Sequence, residues 1–484
     1  MELQLKRTRL SGYGKLLILL FVLTLPLVNP WVRGDGVGYY AYARALLLQQ
    51  DLHFEKDWLA ANPTFRMGRV NAAGHINPNQ YTLTGHLENH FSIGPAFLWI
   101  PFLAVTHVAV LTADALGAHV AANGFSRPYI ITMALSTACY AFLGLWLTFR
   151  VAGNYFQERW AFLSTAGIWL ASSLPVYMYF NPSWSHAHSV FAVGLFLWYW
   201  ERTRGHRTTV QWMLLGLLSG LMMNVYYPNG ILMLIPAVEA LSDYYRACKD
   251  TNRRTQMVLS LLVRHVLFVA VALISVLPTL IAKWVIFGDP LDLGYRVQWY
   301  WTSPVLLQVL FSSNHGLLSW TPILLLAVLG LFLLWGYDRQ LCASLLAAFF
   351  GFFYFISSYS SWNGLSSYGN RFFVSLTPLF VLGLAATLET CGHWLADTRR
   401  AFASASAVVA LFILWNVGLL FQWGTHMIPV RGPIVWREMV YNQVRVVPVH
   451  ITRSVAGYLT GRRAMMEEIE QRDKRGLESQ EPPR

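Results

Sequence analysis

The chain is poor in charged residues and in cysteine. Only 12% of its 484 residues are charged, whereas a soluble domain carries roughly 25%. With 55% hydrophobic residues, this shortage excludes an ordinary soluble protein and indicates a polytopic membrane protein. The four cysteines form no Cys-x-x-Cys pair, so a zinc site or a disulfide framework is not expected. A small-x-small cleavage site is also lacking after the apolar run 16–31, which we interpret as a retained signal anchor.

The net charge of +12 does not indicate a nucleic-acid partner. The basic residues cluster at the ends of apolar runs, as cytoplasmic anchors of membrane helices do. Interleaving of arginine with glycine, or of aromatic with basic residues, is absent. We therefore expect membrane lipids, and no nucleic acid, around this protein.

Apolar runs predict an all-α polytopic membrane protein with about 11 transmembrane helices. The runs that can span are 16–31, 128–149, 160–180, 188–200, 211–227, 229–242, 265–287, 316–336, 341–359, 371–390 and 401–423. A further run, 91–112, contains two prolines and a histidine and could cross the membrane or lie in its interface. If it does not cross and the N-terminus is cytoplasmic, the short outer loops hold only Arg296 and Arg371 as basic residues. The positive-inside rule favours that topology.

This topology divides the chain into four parts. Residues 1–31 form the cytoplasmic N-terminus and first span. Residues 32–127 form a long first external loop with juxtamembrane helices, and 128–423 form a bundle of about ten spans. Residues 424–484 form an external C-terminal tail. The unusual polar motifs then fall on the external side: 34–36, 85–90, 181–188, 227–229, 288–296, 313–316 and 361–371.

Three segments carry a resemblance to a known superfamily. Residues 34–42 (Gly-Asp-Gly-Val-Gly-Tyr-Tyr-Ala-Tyr), 311–322 and 368–373 resemble membrane-embedded GT-C glycosyltransferases, such as protein O-mannosyltransferases and lipid A aminoarabinose transferases. The resemblance implies a GT-C-like fold in a bacterial inner membrane, with a periplasmic active site. It implies an inverting glycosyltransferase that moves a sugar from a polyprenyl-phosphate donor to a hydroxyl of a lipid, glycan or protein acceptor.

By this resemblance Asp35 takes the place of the catalytic carboxylate. A lipid-phosphate sugar already carries a good leaving group, so one carboxylate suffices to take the proton of the acceptor hydroxyl. A glycosidase would need a pair. Glu88 is a candidate to assist it. The alternative is that Asp35 only caps a helix that starts near Val37.

Donor phosphate recognition is assigned to Arg371, with Arg296, Tyr368 and Asn370 as further candidates. A guanidinium at the external start of a span can grip a phosphate through two N–H groups. A tyrosine hydroxyl and an asparagine amide can hydrogen-bond phosphate or sugar. The alternative for the arginines is an interfacial anchor that reaches for lipid headgroups.

The histidines leave two interpretations open. His86, Glu88 and His90 alternate, and so do His186 and His188, which on an extended segment places each set on one face. They would bind sugar or acceptor, or hold a divalent metal ion. Alternatively they hydrogen-bond loop carbonyls. Many relatives have an acidic residue between the third and fourth spans, where this chain has histidines. No other cofactor is expected.

Two other functions remain as alternatives. A lipid-linked glycan flippase or transporter would carry polar residues along its spans at the midplane, and often internal repeats. Few charges fall in the span centres here. A polysaccharide polymerase or ligase would rely on a large late external loop with several arginines, whereas in this chain the large loop comes first.

Overall fold

A computed structural model describes residues 11–250, 252–395 and 397–478 of the chain. In these residues the protein is helical and contains no β-strand, only three isolated bridges between single residues. The predicted all-α class is confirmed. The predicted cytoplasmic N-terminus lies mostly in residues 1–10, which are outside the described residues, as are 479–484 of the predicted tail.

The chain contains long apolar helices and short helical segments that join them. In chain order they are α1 (Gly12–Thr24), α2 (Asp35–Arg44), α3 (Glu55–Ala60), α4 (Pro63–Arg66), α5 (Gly94–Ala115), α6 (Arg127–Ala152), α7 (Glu158–Leu170), α8 (His186–Thr203), α9 (Thr209–Val225), α10 (Leu234–Lys249), α11 (Arg254–Phe287), α12 (Leu306–Phe311), α13 (Leu317–Trp320), α14 (Ile323–Leu333), α15 (Arg339–Ser357), α16 (Thr377–Gly392), α17 (Thr398–Gly424), α18 (Trp436–Tyr441) and α19 (Val447–Glu478).

Six helical segments of the described chain are long and apolar enough to cross a membrane. They are Gly94–Ala115, Arg127–Ala152, Arg254–Phe287, Arg339–Ser357, Arg371–Gly392 and Thr398–Gly424. Gly12–Leu27, Thr209–Val225 and Ile323–Gly336 are apolar but shorter. The multi-pass architecture is therefore confirmed, while the number of 11 spans stays a prediction. Run 91–112 corresponds to α5, which is one of these six segments. The prediction that it does not cross the membrane therefore rests on the charge distribution alone.

Local sequence signals explain where several helices begin and end. Thr208 and Gln211 form a capping box at the start of α9. The Asp338 carboxylate accepts the Leu341 N–H at 2.8 Å at the start of α15. The predicted runs 211–227 and 229–242 are separate helices: α9 ends at Val225, and a 3-10 turn over Tyr227–Met233, which contains Pro228, leads into α10.

The helix α2 is not one of the long apolar helices, and it is nevertheless buried. Residues 36–44 of α2 are all buried, and the helix packs against α5. The buried Arg44 guanidinium closes its end by binding Asp57 of α3, with Nε donating to Oδ1 at 2.6 Å. This ion pair fixes the direction of α2, and therefore the place of Asp35 at its first position.

The helix α19 returns from the far end of the sequence to the start of the first loop. Its backbone is kinked at Gly461, where the φ and ψ angles are non-helical. It packs against α4 and α17. Residues 447–478 of the predicted C-terminal tail are thus helical and part of the folded body.

Candidate active site

Asp35 faces Arg371 across the end of the bundle. An Asp35 Oδ2 oxygen lies 2.9 Å from Nη1 of Arg371, and the two side chains are 33% and 13% exposed. The helix α2 begins at Asp35 itself, and Gly34 is the residue that precedes it. The alternative that Asp35 caps the helix is therefore wrong: its carboxylate turns to the guanidinium instead of the helix N–H groups.

Two glycines let the backbone bring Asp35 to this position. Gly34 has φ +52° and ψ −135°, a conformation that residues with a Cβ rarely adopt. A Cβ at Gly36 would lie 1.9 Å from the Ser183 Oγ, so only glycine allows α2 to approach the turn before α8 this closely. The Gly-Asp-Gly triplet is thus required by the geometry on both sides of the carboxylate.

The guanidinium of Arg371 keeps free hydrogen-bonding capacity. Its Cζ lies 4.6 Å from the ring centroid of Trp184, and Trp184 Nε1 donates to the Arg33 carbonyl oxygen at 3.0 Å. Among the described residues no group accepts a hydrogen bond from Arg371 Nε, which is buried. The Trp184 ring face and one Asp35 carboxylate oxygen hold the side chain, and its hydrogen-bonding capacity is not fully used within the described residues.

The Asp35–Arg371 pair lies in a cavity of about 820 Å³ with two kinds of wall. Charged side chains collect around the pair, with Arg69 and Arg431 also in the lining. The remaining wall is largely apolar and comes from the end of α1, from α17 and from α19, including Leu27, Leu420, Phe421, Ile451, Val455 and Tyr458. Such a cavity suits an amphiphile with an anionic head and an apolar tail.

A second cavity of about 290 Å³ adjoins the first. The two share Phe65, Arg69, His90 and Phe91, and the smaller one is also lined by Trp58, Met67, Gly68, Gln80 and Glu88. Burial lowers the pKa of His90 to about 4, so its imidazole is neutral at pH 7. The predicted residues Glu88 and His90 are therefore brought beside the cavity that holds Asp35.

His86 does not join this group. Its ring stacks on His53 with the centroids 4.6 Å apart, and its Nδ1 lies 3.0 Å from the Thr84 Oγ1. The backbone at residues 82–86 forms a tight turn, in which the Thr82 N–H donates to the His86 carbonyl at 2.8 Å. His86 lines neither cavity, so it is not brought to the site with His90, although residues 86, 88 and 90 alternate with the buried Leu87 and Asn89 as the sequence predicts for an extended segment.

His186 and His188 point to different surroundings. Both lie in the first turn of α8, where residues two apart do not share a face. The His186 ring lies 4.8 Å from that of Tyr177, and the His188 ring lies 4.9 Å from that of Trp99. Their predicted common face is wrong for that reason. Across residues 11–250, 252–395 and 397–478, no group of three His, Cys, Asp or Glu side chains could hold a metal ion, so nothing there supports the metal alternative.

The other predicted phosphate ligands line neither cavity. Arg296 is exposed and forms two hydrogen bonds with Asp292, at 3.0 and 3.1 Å. The buried Tyr368 hydroxyl donates to Asn416 Oδ1 at 2.7 Å. Asn370 is buried and donates to the Trp362 carbonyl at 3.1 Å. Of the four predicted phosphate ligands, Arg371 alone lines a cavity, and Asn370 Oδ1 is buried without a hydrogen-bond partner among the described residues.

Several charged residues at the site were not found by sequence reasoning. Arg33 and Arg69 come from the first loop, Arg431 from the segment after α17, and Asp473 from α19. Burial alone would raise the pKa of Asp473, but a hydrogen bond from His426 and the charge of Arg33 bring it below its usual value. Arg33 stood two residues before Asp35 and could have been noticed. Nothing in the sequence pairs it with Asp473.

Comparison with known proteins gives structural neighbours only. No protein-family model and no curated protein sequence match the chain. Solved structures that it resembles include the archaeal oligosaccharyltransferase AglB from Archaeoglobus fulgidus, in complex with an inhibitory peptide and a dolichol-phosphate, at 12% identity and a TM-score of 0.48, covering 85% of this chain and 55% of that one. ArnT from Cupriavidus metallidurans, in the apo state, matches at 11% identity and a TM-score of 0.46, covering 85% of this chain and 70% of that one.

Both neighbours are GT-C membrane glycosyltransferases, the superfamily that the sequence resembles. This chain spans about half the length of the oligosaccharyltransferase. With TM-scores below 0.5, these likenesses carry no weight for the activity or for the role of any residue.

Proposed function

We propose that this protein is an inverting glycosyltransferase that moves a sugar from a polyprenyl-phosphate donor to an acceptor hydroxyl at the outer face of the membrane. The observation that carries the proposal is the position of the Asp35–Arg371 pair. It lies in the larger, amphiphilic cavity, which adjoins a smaller polar one. One reactive centre can therefore meet a lipid-linked donor and a polar acceptor from two sides.

The donor fits the larger cavity by its chemistry. Its phosphate would bind the guanidinium of Arg371, which lines this cavity beside Asp35. Arg431 and Arg69 add positive charge to the same lining. The isoprenoid tail would lie along the apolar wall of α17 and α19. Because the phosphate gains charge as the glycosidic bond breaks, these guanidinium groups stabilise the transition state more than the ground state.

The acceptor hydroxyl would enter from the smaller cavity, past His90 and Glu88. Asp35 takes the hydroxyl proton while the acceptor oxygen forms a bond to the anomeric carbon on the face opposite the phosphate. The bond from that carbon to the phosphate oxygen breaks, and its electron pair leaves with the polyprenyl phosphate.

The experiment uses the full chain in lipid nanodiscs with a panel of polyprenyl-phosphate sugars, and measures release of polyprenyl phosphate. We expect Asp35→Asn to lower kcat by about 10³-fold, since it removes a general base. We expect Arg371→Ala to raise the donor KM as well as lower kcat, and Arg371→Lys to recover only part of it, because lysine lacks the planar pair of donors.

The matched control is Asp292→Asn, which makes the same change in an exposed ion pair outside both cavities. It should keep wild-type rates. A correctly folded Asp35→Asn protein with wild-type kcat would contradict the assignment of the base. A wild-type protein that releases polyprenyl phosphate from no member of the panel would contradict the donor class.

A further inference from the structure

Asp35 is connected by a chain of hydrogen bonds to a carboxylate of α19. The Gly34 N–H, next to Asp35, donates to Asn62 Oδ1 at 3.2 Å. The Asn62 amide in turn donates through Nδ2 to Glu470 Oε1 at 2.7 Å, although the two residues are 408 positions apart. The Thr64 N–H donates to the same Glu470 oxygen at 2.8 Å. Both partners are buried: Asn62 is 8% exposed and Glu470 is 3% exposed.

The orientation of the Asn62 amide follows from this arrangement. A carboxylate accepts hydrogen bonds and cannot donate them, so Glu470 must face the NH₂ end of Asn62. The Oδ1 end is then turned to the Gly34 N–H. Gly34 has the unusual backbone angles that place Asp35 at the start of α2, and its N–H is the atom that this oxygen binds.

A second contact of α19 binds the residue on the other side of Gly34. Arg33 Nη2 donates to Asp473 and lies 3.5 Å from Glu470 Oε2. Asp473 Oδ1 lies 2.7 Å from His426 Nε2. Residues 33–34 are thus held at two points by Glu470 and Asp473, which are three positions apart and share one face of α19.

The burial of Glu470 is not shared by the neighbouring acidic residues of α19. Glu467 and Glu468 are exposed, and their ion pairs within the described residues are with Arg463 and Arg472 of the same helix. Burying a charged carboxylate is costly unless hydrogen bonds compensate it, so the position of Glu470 requires its partners Asn62 and Thr64.

We infer that Glu470 is a positioning residue for the proposed catalytic base, acting through Asn62 and Gly34, with Asp473 as a second support through Arg33. This inference rests on the proposed role of Asp35. It assigns to α19 a part in organising the reactive carboxylate, beyond supplying an apolar wall of the cavity.

The test compares Glu470→Ala, Glu470→Gln and the exposed control Glu467→Ala in the full chain. We expect Glu470→Ala to lower kcat by about 10²-fold, because small displacements of a reacting group have effects of that size. The donor KM should change less than about twofold, since Arg371 is not moved. Glu470→Gln keeps an oxygen for Asn62 and Thr64 and should recover most of the rate. Glu467→Ala should behave as wild type.

Hydrogen–deuterium exchange of the same proteins gives a readout without substrate. Glu470→Ala should speed exchange about tenfold in peptides that cover 33–40 and 62–66 and leave those from α14 unchanged, since only local protection is lost. Unchanged exchange in these peptides, or a wild-type kcat in Glu470→Ala, would overturn the inference. An Asp35→Asn protein with full activity would instead overturn the proposed function, so the two failures are distinct.

Discussion

Two arginine–carboxylate pairs in this protein are built differently. Arg207 and Glu239 join the start of α9 to α10, with side chains 1% and 3% exposed and Nη1 3.0 Å from Oε2. The same Glu239 oxygen accepts Trp200 Nε1 at 2.7 Å, and Arg207 Nη2 donates to the Trp200 carbonyl at 2.9 Å. The Asp35–Arg371 pair is more exposed, opens on a cavity and leaves Arg371 Nε without a partner among the described residues.

The difference separates a structural pair from one available to a ligand. Arg207 and Glu239 are hydrogen-bonded to Trp200 as well as to each other and line neither of the two cavities, so their interactions contribute to folding. The Asp35–Arg371 pair retains an unused donor and a solvent-facing carboxylate, which is what binding an anion and removing a proton require. The two pairs have the same charges and the same kind of ion pairing. They are distinguished by the burial of their side chains and by the number of arginine N–H donors that have an acceptor.

The largest expected effect on stability is at the buried Arg207–Glu239 pair. Glu239→Ala should lower the free energy of unfolding by about 3–5 kcal/mol, because it leaves the buried Arg207 without a counter-charge. Asp35→Ala should lower it by less than Glu239→Ala does, because the Asp35 carboxylate is 33% exposed and solvent screens this pair. Denaturant titration in detergent measures both. An Asp35→Ala protein as unstable as Glu239→Ala would remove the distinction.

An intermediate effect is expected where α2 approaches the turn before α8. Gly36→Ala should destabilise the protein by about 1–3 kcal/mol, because the new Cβ overlaps the Ser183 side chain. It should also lower kcat by displacing Asp35. Adding Ser183→Gly removes the overlapping atoms and should restore part of both. Gly457→Ala is the control, since nothing lies within 4 Å of a Cβ built there. Equal thermal midpoints for the two single variants would disprove this packing argument.

The smallest effect is expected at the exposed pair of Arg296 with Asp292. The Arg296 side chain is 70% exposed. Arg296→Ala should change the free energy of unfolding by less than about 0.5 kcal/mol and leave donor KM unchanged. A donor KM that rises as much as in Arg371→Ala would show that Arg296 takes part in phosphate binding after all.

The sequence predicted helices at the apolar runs because a long apolar segment has few alternatives to a helix in a membrane. It also supported the selection of Asp35, through the resemblance carried by residues 34–42, and of Arg371, as one of two basic residues in the predicted short outer loops. It misjudged His186 and His188, because alternation indicates a common face only in extended chain, and this segment is helical. The sequence could not identify Glu470, because its partners Asn62 and Thr64 lie 408 and 406 positions away in the first loop.

The sequence by itself determined the all-α membrane character, the division between runs 211–227 and 229–242 and the choice of Asp35 and Arg371, since composition, hydropathy and local motifs act over short stretches of chain. Only the tertiary structure decided that these two residues meet at 2.9 Å. It also decided that Glu88 and His90 adjoin them while Arg296 and Tyr368 do not, and that α19 supports the turn around Gly34. These relations depend on contacts between distant segments, which no local pattern records.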